Sequence, residues 1–450
     1  MRSVVPRRGK MVNAFDPANL GHLDDETRSF VERRARLLGP AYRLFYNEPV
    51  EVTRGTGVFL YDKDGNEYLD AYNNVVSVGH ANPTVVQAVH RQMQTLCTHT
   101  RYIQQGILKY AEDLLSTFGG RVGKTGHAMF TCTGSEANDL AVRIARHFTG
   151  KRGIIVTSEA YHGCSELTAS FSPSLGENSP LGTWVRCVPS PDSYRVPANN
   201  LGRWFADQVA AQIDDLERHG NGLAAFVVDS LFSSDGIFAH PTDLLVPVAH
   251  VVRQAGGVMV ADEVQSGFAR SGEQFWGYQR HGIDPDIVSM GKPMGNGFPV
   301  AGVAVAAEVV ERFGNDIRYF NTFGGNSVAI AAAQATLDVI RDNRLLENAD
   351  IVGRFIRDGL QDISSRHEGI GDIRGAGLYI GVEMVQDRAS KEPDPAAARA
   401  IVNGLRERRV LISATGFHAN TLKIRPPLVF SKDNAARLLA EIEATVKSIR

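Results

Sequence analysis

Two residues in the second half of the chain have the types and the spacing that amine chemistry needs. Asp262 ends the apolar run VMVAD, and Lys292 follows the apolar run IVSM after a single glycine. Both runs are short and bounded by Gly, Pro and polar residues, which is typical of buried parallel strands. Because ligands bind at the carboxyl ends of such strands, Asp262 and Lys292 are expected to open into one cleft. This pair indicates a Schiff-base lysine beside an acid that pairs with a pyridinium nitrogen, although most lysines after a strand are simply solvated.

Composition limits the remaining possibilities. The chain has 450 residues, of which 43% are hydrophobic, so it can form a large core and two domains. The net charge of −2 predicts no strong attraction to nucleic acid or to a membrane surface. No run of about 18 apolar residues is present, so no transmembrane helix is expected. No metal site is expected. Cys97, Cys132, Cys164 and Cys187 form no CxxC pair, which is typical of reduced residues in a cytoplasmic protein.

The elements that must position Asp262 and Lys292 follow from the pattern along the chain. Strands and helices alternate from about residue 126 to 305, which predicts a mainly parallel sheet with helices on both faces. Residues 39–74 alternate apolar and polar types around a turn at Asp64-Gly65, which predicts a small antiparallel sheet. Residues 1–27 are polar and irregular, and we expect a flexible arm there.

Two further stretches of the alternating region carry candidate ligands. The turn Thr133-Gly134-Ser135-Glu136 opens a helix, and the free backbone N–H groups of a helix start bind anions. The alternative is a plain N-cap formed by Ser135. Tyr161 and His162 follow the next strand, and by residue type alone they are a core-edge aromatic and a structural histidine.

The motifs DEVQSGFARSG and GKPMGNGFPVAG together resemble those of the class III aminotransferases, which use pyridoxal 5′-phosphate (PLP). The resemblance runs from about Arg43 to the C-terminal PP motif. It implies the α/β, PLP-dependent transferase fold type I, in which a large domain has a mainly parallel sheet flanked by helices and a smaller α+β domain comes from both termini. The expected boundaries are 1–70 for the N-terminal arm and part of the small domain, 71–325 for the large PLP-binding domain, and 326–450 for the C-terminal part of the small domain.

The resemblance also implies roles for individual residues. Lys292 would hold PLP as a Schiff base and then act as a general base, while Asp262 would pair with the protonated ring nitrogen. The other cofactor contacts implied are Gly134 and Ser135 at the phosphate, Tyr161 stacked on the ring, His162, Gln265 at the ring oxygen, Asp229 where the family usually has Glu, and Thr322 at the phosphate of a partner subunit. Thr322 implies a homodimer with its active site at the subunit interface, and a helix N-cap is the alternative role for this residue.

Within the family, YNNVVSVGHANP, THTRY, FNTFGGN and LKIRPP look most like the branch of ethanolamine-phosphate phospho-lyases, with alanine–glyoxylate aminotransferase 2-like proteins as near neighbours. The first interpretation is a phospho-lyase that eliminates phosphate from phosphoethanolamine-like amines, giving an aldehyde, ammonia and phosphate. The alternative is an ω-aminotransferase that moves an amino group between an amine or amino acid and a 2-oxo acid. A third possibility is a protein of this fold without turnover, and the intact Lys292, Asp262 and Gln265 argue against it.

Two basic residues are the candidates for the substrate phosphate. Many class III transaminases have Arg where Lys423 stands, and the point charge of a lysine suits phosphate better than it suits a carboxylate. Arg101 of the THTRY motif is the second candidate, with an ordinary surface salt bridge as the alternative. The partners expected are therefore a small amine substrate and a second copy of the chain, without nucleic acid or membrane.

Overall fold

The computed structural model describes residues 11, 13–196 and 199–449. Within these ranges the α-helices are α1 (Asp25–Leu38), α2 (Pro83–Thr95), α3 (Gln105–Leu115), α4 (Gly120–Thr125), α5 (Gly134–Thr149), α6 (Glu166–Ala169), α7 (Leu201–Arg218), α8 (Val246–Gln254), α9 (Ala307–Asp316), α10 (Ser327–Asp342), α11 (Leu345–Ser365), α12 (Pro395–Glu407) and α13 (Lys432–Ser448). The strands are β1 (Val52–Thr56), β2 (Phe59–Asp62), β3 (Glu67–Asp70), β4 (His127–Thr131), β5 (Gly153–Thr157), β6 (Val185–Val188), β7 (Leu223–Val228), β8 (Val258–Asp262), β9 (Ile287–Met290), β10 (Ala301–Val305), β11 (Ile370–Ala376), β12 (Tyr379–Met384), β13 (Val410–Leu411), β14 (Ser413–Thr415) and β15 (Thr421–Ile424).

A seven-stranded sheet in the order β4-β10-β9-β8-β7-β5-β6 forms the centre of the molecule. Strand β10 runs antiparallel to both of its neighbours, and the other pairs are parallel. Every residue of β5, β7 and β8 is buried, which explains why these runs are apolar without alternation. The predicted mainly parallel sheet is confirmed, with one reversed strand.

Helices cover both faces of this sheet, as the side chains of β5 show. Ile154 and Val156 pack in the main core cluster together with buried residues of α5, whereas Ile155 packs in a second cluster with residues of α7 and α8. Because successive side chains of a strand point to opposite faces, the two clusters lie on opposite sides of the sheet. This arrangement leaves the carboxyl ends of the parallel strands free to form a site.

Two four-stranded sheets complete the fold, in the orders β1-β2-β3-β13 and β11-β12-β15-β14. The first sheet joins the two ends of the chain, because β13 pairs in parallel with β3 through Leu69 opposite Val410. Together they form the smaller α+β part drawn from both termini that the resemblance implied. The expected domain boundaries near residues 70 and 325 remain predictions.

The local expectations have mixed outcomes. The antiparallel sheet around Asp64-Gly65 is present, since β1, β2 and β3 pair antiparallel in succession. Part of the expected arm 1–27 lies outside the described residues, and within the described part a short 3-10 helix spans Pro17–His22. The four cysteines are free, and no described helix is both long enough and apolar enough to cross a membrane.

Candidate active site

The carboxyl ends of β8 and β9 bring Asp262 and Lys292 together. The two strands are parallel neighbours with Asp262 opposite Ser289, and Lys292 starts the short 3-10 helix that follows β9. Both residues line one cavity, as the positions of the strand ends predicted. The remaining lining residues are Gly134, Ser135, Asn138, Tyr161, His162, Gly163, Asp229, Val264 and Gln265.

Asp262 is buried and accepts hydrogen bonds from three donors. Its Oδ2 accepts from Asn138 Nδ2 at 2.8 Å and from His162 Nδ1 at 2.7 Å, and its Oδ1 accepts from the backbone N–H of Val264 at 3.1 Å. Burial alone would raise the pKa of Asp262, but the hydrogen bond and charge of His162, with the two other donors, hold the pKa below its ordinary value. The carboxylate is therefore ionised at neutral pH and can balance a cationic ring nitrogen.

The amine of Lys292 can gain and lose a proton near neutral pH. Burial lowers the pKa of Lys292 to about 8, and the guanidinium of Arg425 acts in the same direction. The carboxylates of Asp262 and Asp229 oppose this shift. A lysine with such a pKa can serve as a nucleophile and as a general base.

The turn that carries Lys292 is strained and supported from outside. Lys292 has φ of 21°, which is uncommon for a residue with a side chain. The hydroxyl of Ser77 donates to the carbonyl of Pro293 at 3.3 Å, and the amide of Val78 donates to Asn296 Oδ1 at 2.9 Å. The segment that follows β3 therefore clamps the lysine turn in place.

The start of α5 forms one wall of the cavity. Thr133 is its N-cap and forms a reciprocal capping box with Glu136, so the expected alternative of an N-cap at Ser135 is wrong. Because Thr133 takes the cap, the hydroxyl of Ser135 accepts from the backbone N–H of Cys164 at 3.0 Å. Gly134 and Ser135 line the cavity at the positive end of the helix dipole, which suits an anion.

The loop after β5 forms a second wall. Gly163 has φ of 142°, and a Cβ at this position would lie 2.6 Å from Ser135 Oγ and 2.6 Å from Thr168 Oγ1. Only glycine allows this close approach. Tyr161 lines the cavity and has 40% of its surface exposed, so its ring is accessible to a ligand there.

Gln265 is fixed by two residues of the C-terminal sheet. Tyr379 donates its hydroxyl to Gln265 Oε1 at 3.1 Å, and Arg425 Nη1 donates to the same oxygen. Because both donors occupy the oxygen, the amide group is left to donate toward the cavity. The sequence-based role of Gln265 at the ring oxygen requires this orientation.

Asp229 lines the cavity, whereas Lys423 is not among the lining residues and is linked to the site by its charge interactions with Asp229 and Lys292. The Asp229 carboxylate accepts from the backbone N–H groups of Leu231 at 3.0 Å and Ser233 at 3.1 Å, and burial raises its pKa. Lys423 is buried on β15, and its charge interacts with those of Lys292 and Asp229. Burial, reinforced by the cation of Arg425, holds the pKa of Lys423 well below its ordinary value.

Arg101 and Thr322, like Lys423, are not among the residues that line this cavity within one chain. Arg101 stacks its guanidinium 3.8 Å from the centroid of the Phe320 ring and lines a separate cavity of 760 Å³. Among the described residues it does not form the salt bridge considered as its alternative. Thr322 is exposed, and the N-cap of α10 is Asn326, so the expected alternative of an N-cap at Thr322 is wrong. Both residues remain candidates only for a site shared with a second subunit.

Comparisons with known proteins agree with this geometry. Residues 45–446 match the model of the family described as aminotransferase class III. The chain belongs to this family. It is 38% identical to ethanolamine-phosphate phospho-lyase homolog 1 of Caenorhabditis elegans, covering 92% of each chain, and 37% identical to an alanine–glyoxylate aminotransferase 2-like protein of Drosophila melanogaster, covering 91% of this chain and 85% of the relative. A phospholyase from Arthrobacter in complex with phosphoethanolamine is 41% identical with a TM-score of 0.90, covering 94% of this chain and 100% of the other.

Class III aminotransferases are PLP enzymes, and this member has the groups that the cofactor needs. The free N–H groups at the start of α5 suit its phosphate, and the approach permitted by Gly163 keeps that corner open. Ionised Asp262 lies in the same cavity as Lys292, whose amine has a lowered pKa. The residues present therefore fit PLP.

Several residues of the site were not predicted from the sequence. Asn138 reaches Asp262 from the second turn of α5, and Tyr379 and Arg425 reach Gln265 from the C-terminal sheet. The signal for Asn138 is a buried polar residue on the apolar face of a helix. Arg425 stands in the LKIRPP motif, two residues after Lys423, but its direction depends on how β15 packs.

Proposed function

We propose that the protein is a PLP-dependent phospho-lyase acting on phosphoethanolamine-like amines. The net reaction consumes the phosphorylated amine and water and yields an aldehyde, ammonia and phosphate. The phospholyase from Arthrobacter and the Caenorhabditis elegans homolog support this proposal through 41% and 38% identity over nearly the whole chain.

The observation that carries the proposal is the pair of basic residues at the end of the C-terminal sheet. Lys423 and Arg425 are two positions apart on an extended segment and therefore point to one face. Both are buried, and within the described part of the chain neither forms an ion pair with a carboxylate. Arg425 Nε has no hydrogen-bond partner at all. Two buried basic groups without an acid partner are costly unless an anion completes them.

A substrate phosphate is the anion that fits best. We assign the phosphate of PLP to the start of α5, where Gly134 and Ser135 line the cavity, so a second anion needs a different partner. A dianion beside Lys423 would favour its protonated form, and Arg425 would add a donor with a fixed charge. The substrate would then span from its amine near Lys292 to its phosphate near Lys423 and Arg425.

In this arrangement each residue has a defined task. PLP, when bound, supplies an electron sink for the carbon that bears the substrate nitrogen. Lys292 Nζ takes the proton from that carbon, and Asp262 stays ionised with the help of His162. The C–O bond to phosphate on the adjacent carbon then breaks, with its electron pair leaving on the phosphate. Lys423 and Arg425 stabilise the charge of the departing phosphate.

An ω-aminotransferase remains the second candidate, since Lys292 and Asp262 would serve it equally. The specific feature in its favour is Arg425, because a guanidinium can bind the carboxylate of a 2-oxo acid through two parallel hydrogen bonds. The 37% identity to the alanine–glyoxylate aminotransferase 2-like protein also supports this alternative.

Free phosphate separates the two reactions. The holoenzyme is incubated with phosphoethanolamine in the absence of any 2-oxo acid, and phosphate is followed over time. Many turnovers of phosphate per site are expected for the lyase. Lack of phosphate release, together with alanine formation after addition of pyruvate, would establish the aminotransferase instead.

We further propose that the enzyme works as a homodimer with its site at the subunit interface. Thr322 and Arg101 lie on a surface where Ile103 is 95% exposed and Phe323 is 70% exposed, and such an apolar surface favours contact with a second subunit. Thr322 would then reach the PLP phosphate in the partner subunit, and Arg101 would reach the phosphate of the substrate bound there.

The four free cysteines support a reducing compartment such as the cytoplasm.

A further inference from the structure

Arg270 is a buried cation of the loop that follows β8, five residues after Gln265. Its side chain is among the largest fully buried ones, with 2% of its surface exposed. Within the described part of the chain it has no ion pair, and its Nη2 has no hydrogen-bond partner. An apolar side chain at this position would avoid the free-energy cost of burying a charge. We therefore expect Arg270 to have a role that an apolar residue cannot fill.

The contacts of Arg270 reach the residue before β12 and a residue just after β15. Its Nη1 donates to the carbonyl of Leu378 at 3.2 Å and to the carbonyl of Pro426. The backbone of the same residue accepts from the N–H of Leu378 at 3.1 Å. A guanidinium is suited to hold two carbonyls at once because its donors lie in a fixed plane.

The two carbonyls flank the residues that orient Gln265. Leu378 directly precedes Tyr379, and Pro426 directly follows Arg425. Tyr379 and Arg425 both donate to Gln265 Oε1. The loop after β8 therefore contacts the C-terminal sheet twice, through Arg270 and through Gln265, at neighbouring residues. Any shift of the two carbonyls would move both donors relative to the cavity.

The backbone around Arg270 is strained and closely packed on both sides. Phe268 and Ala269 have φ of 56° and 68°, two successive residues in a region that side chains rarely adopt. On the other side, a Cβ at Gly377 would lie 2.4 Å from the carbonyl oxygen of Arg270. Strain of this kind persists only where the surrounding contacts enforce it, and it is often found at functional sites.

We propose that Arg270 is a positioning residue: by holding the carbonyls of Leu378 and Pro426 it fixes where the Arg425 cation stands relative to Gln265 and Lys292. This inference does not depend on whether the enzyme eliminates phosphate or transfers an amino group. It predicts an effect of Arg270 on the ionisation of Lys292, although no direct contact between the two residues is present in the described part of the chain.

The test measures the pKa of Lys292, which depends on the charged groups around its amine. The Arg425 cation lowers the pKa of Lys292, the Asp262 and Asp229 carboxylates oppose it, and Lys423 interacts with it as a further cation. If Arg270 is replaced by Met, Arg425 loses its anchor and moves away from Lys292. The pKa of Lys292 should then rise above its value of about 8, as expected for withdrawal of a nearby like charge.

The test measures this pKa in the apoprotein by competitive acetylation of Lys292 over a pH series, followed by mass spectrometry. The variants are Arg270→Met, Arg270→Lys, Arg425→Met and the double variant, and Arg437→Met is the control because Arg437 pairs with Glu67 at the surface. Arg270→Met and Arg270→Lys should both raise the pKa. In the Arg425→Met background, replacement of Arg270 should cause no further change.

A second readout uses the holoenzyme without substrate. The visible absorbance band of the bound cofactor is titrated with pH, and its midpoint should move in the same direction in Arg270→Met. An unchanged midpoint in a folded Arg270 variant would overturn the proposal, as would an equal change in the presence and absence of Arg425. If Arg270→Met does not fold, Arg270→Lys decides the question, and failure of both to fold would show that Arg270 serves folding rather than positioning.

Discussion

The imidazole Nδ1 of His162 lies 2.7 Å from Oδ2 of Asp262, and both side chains are buried. Residue type alone suggested a structural histidine at this position. The contact instead makes His162 one reason why a carboxylate remains ionised in a buried cavity.

Replacement of His162 by Phe should therefore move the pH dependence of the enzyme. Phe keeps a ring against Phe171 but removes the donor, so the pKa of Asp262 should rise. The ionised form would then be lost at a higher pH as the solution is acidified, and the acid limb of the kcat/KM profile should move upward. At neutral pH we expect kcat/KM to fall about 10- to 100-fold, as for loss of a hydrogen bond to a charged group. The exposed His219 serves as a control through His219→Gln, and an acid limb that stays in place would contradict the role of His162.

The second prediction concerns Lys423 and the substrate phosphate. In Lys423→Met, kcat/KM for phosphoethanolamine should fall about 10- to 100-fold because a charge-assisted hydrogen bond to phosphate is lost. The position of the visible cofactor band should not change, since the PLP phosphate is assigned to the start of α5. Lys447→Met is the matched control because Lys447 pairs with Glu443 at the surface. Unchanged steady-state kinetics in Lys423→Met would remove this residue from the substrate site.

The third prediction tests the shared active site. Neither Lys292→Ala nor Thr322→Asp should be active alone, because the first lacks the amine and the second places an anion at the cofactor phosphate. When both chains are co-expressed with different tags, half of the dimers are mixed, and each mixed dimer has one intact site if Thr322 acts across the interface. Activity of the mixture should therefore reach roughly a quarter of the wild-type value. An inactive mixture, with mixed dimers demonstrated by the two tags, would place Thr322 outside the partner's site. Arg101→Ala in place of Thr322→Asp tests the second residue in the same way.

The fourth prediction concerns Gly163. Gly163→Ala adds a Cβ that would lie 2.6 Å from Ser135 Oγ, and the backbone there has φ of 142°. We expect a loss of about 1–3 kcal/mol in stability and weaker retention of PLP, measured by thermal unfolding and by dialysis followed by absorbance. Gly106→Ala is the control because a Cβ there meets nothing within 4 Å and the residue lies in helix α3. Equal PLP retention in Gly163→Ala and the wild type would argue that this corner of the cavity does not bind the cofactor.

The placements that the sequence predicted and the structure shows are those that depend on one strand or one turn. Asp262 and Lys292 end adjacent parallel strands, so their common cavity follows from topology. Gly134 lies at a helix start that the strand–turn–helix pattern already marks. In these cases the local pattern and the fold class are sufficient.

The residues that were missed depend on how separate parts of the chain pack. Tyr379 starts β12 and Arg425 directly follows β15, both more than a hundred residues beyond Gln265, so their hydrogen bonds depend on how the C-terminal sheet packs against the loop after β8. Arg101 and Thr322 do not line the cavity within one chain, and their proposed role at a shared site requires a second subunit. The cap at Thr133 was misassigned by two residues, since Ser135 and Thr133 are both good N-caps and only the contact with Glu136 decides between them.

The pairing of β3 with β13 has a consequence for how the protein is made. Leu69 emerges from the ribosome long before Val410, its partner across the two strands, has been synthesised. At ordinary translation speeds the early strands wait for tens of seconds with one backbone edge unpaired. The large central sheet can form during this interval, but the small sheet that unites the chain ends closes only after synthesis is nearly finished. Removal of the last 45 residues would therefore leave that edge permanently open to other nascent chains.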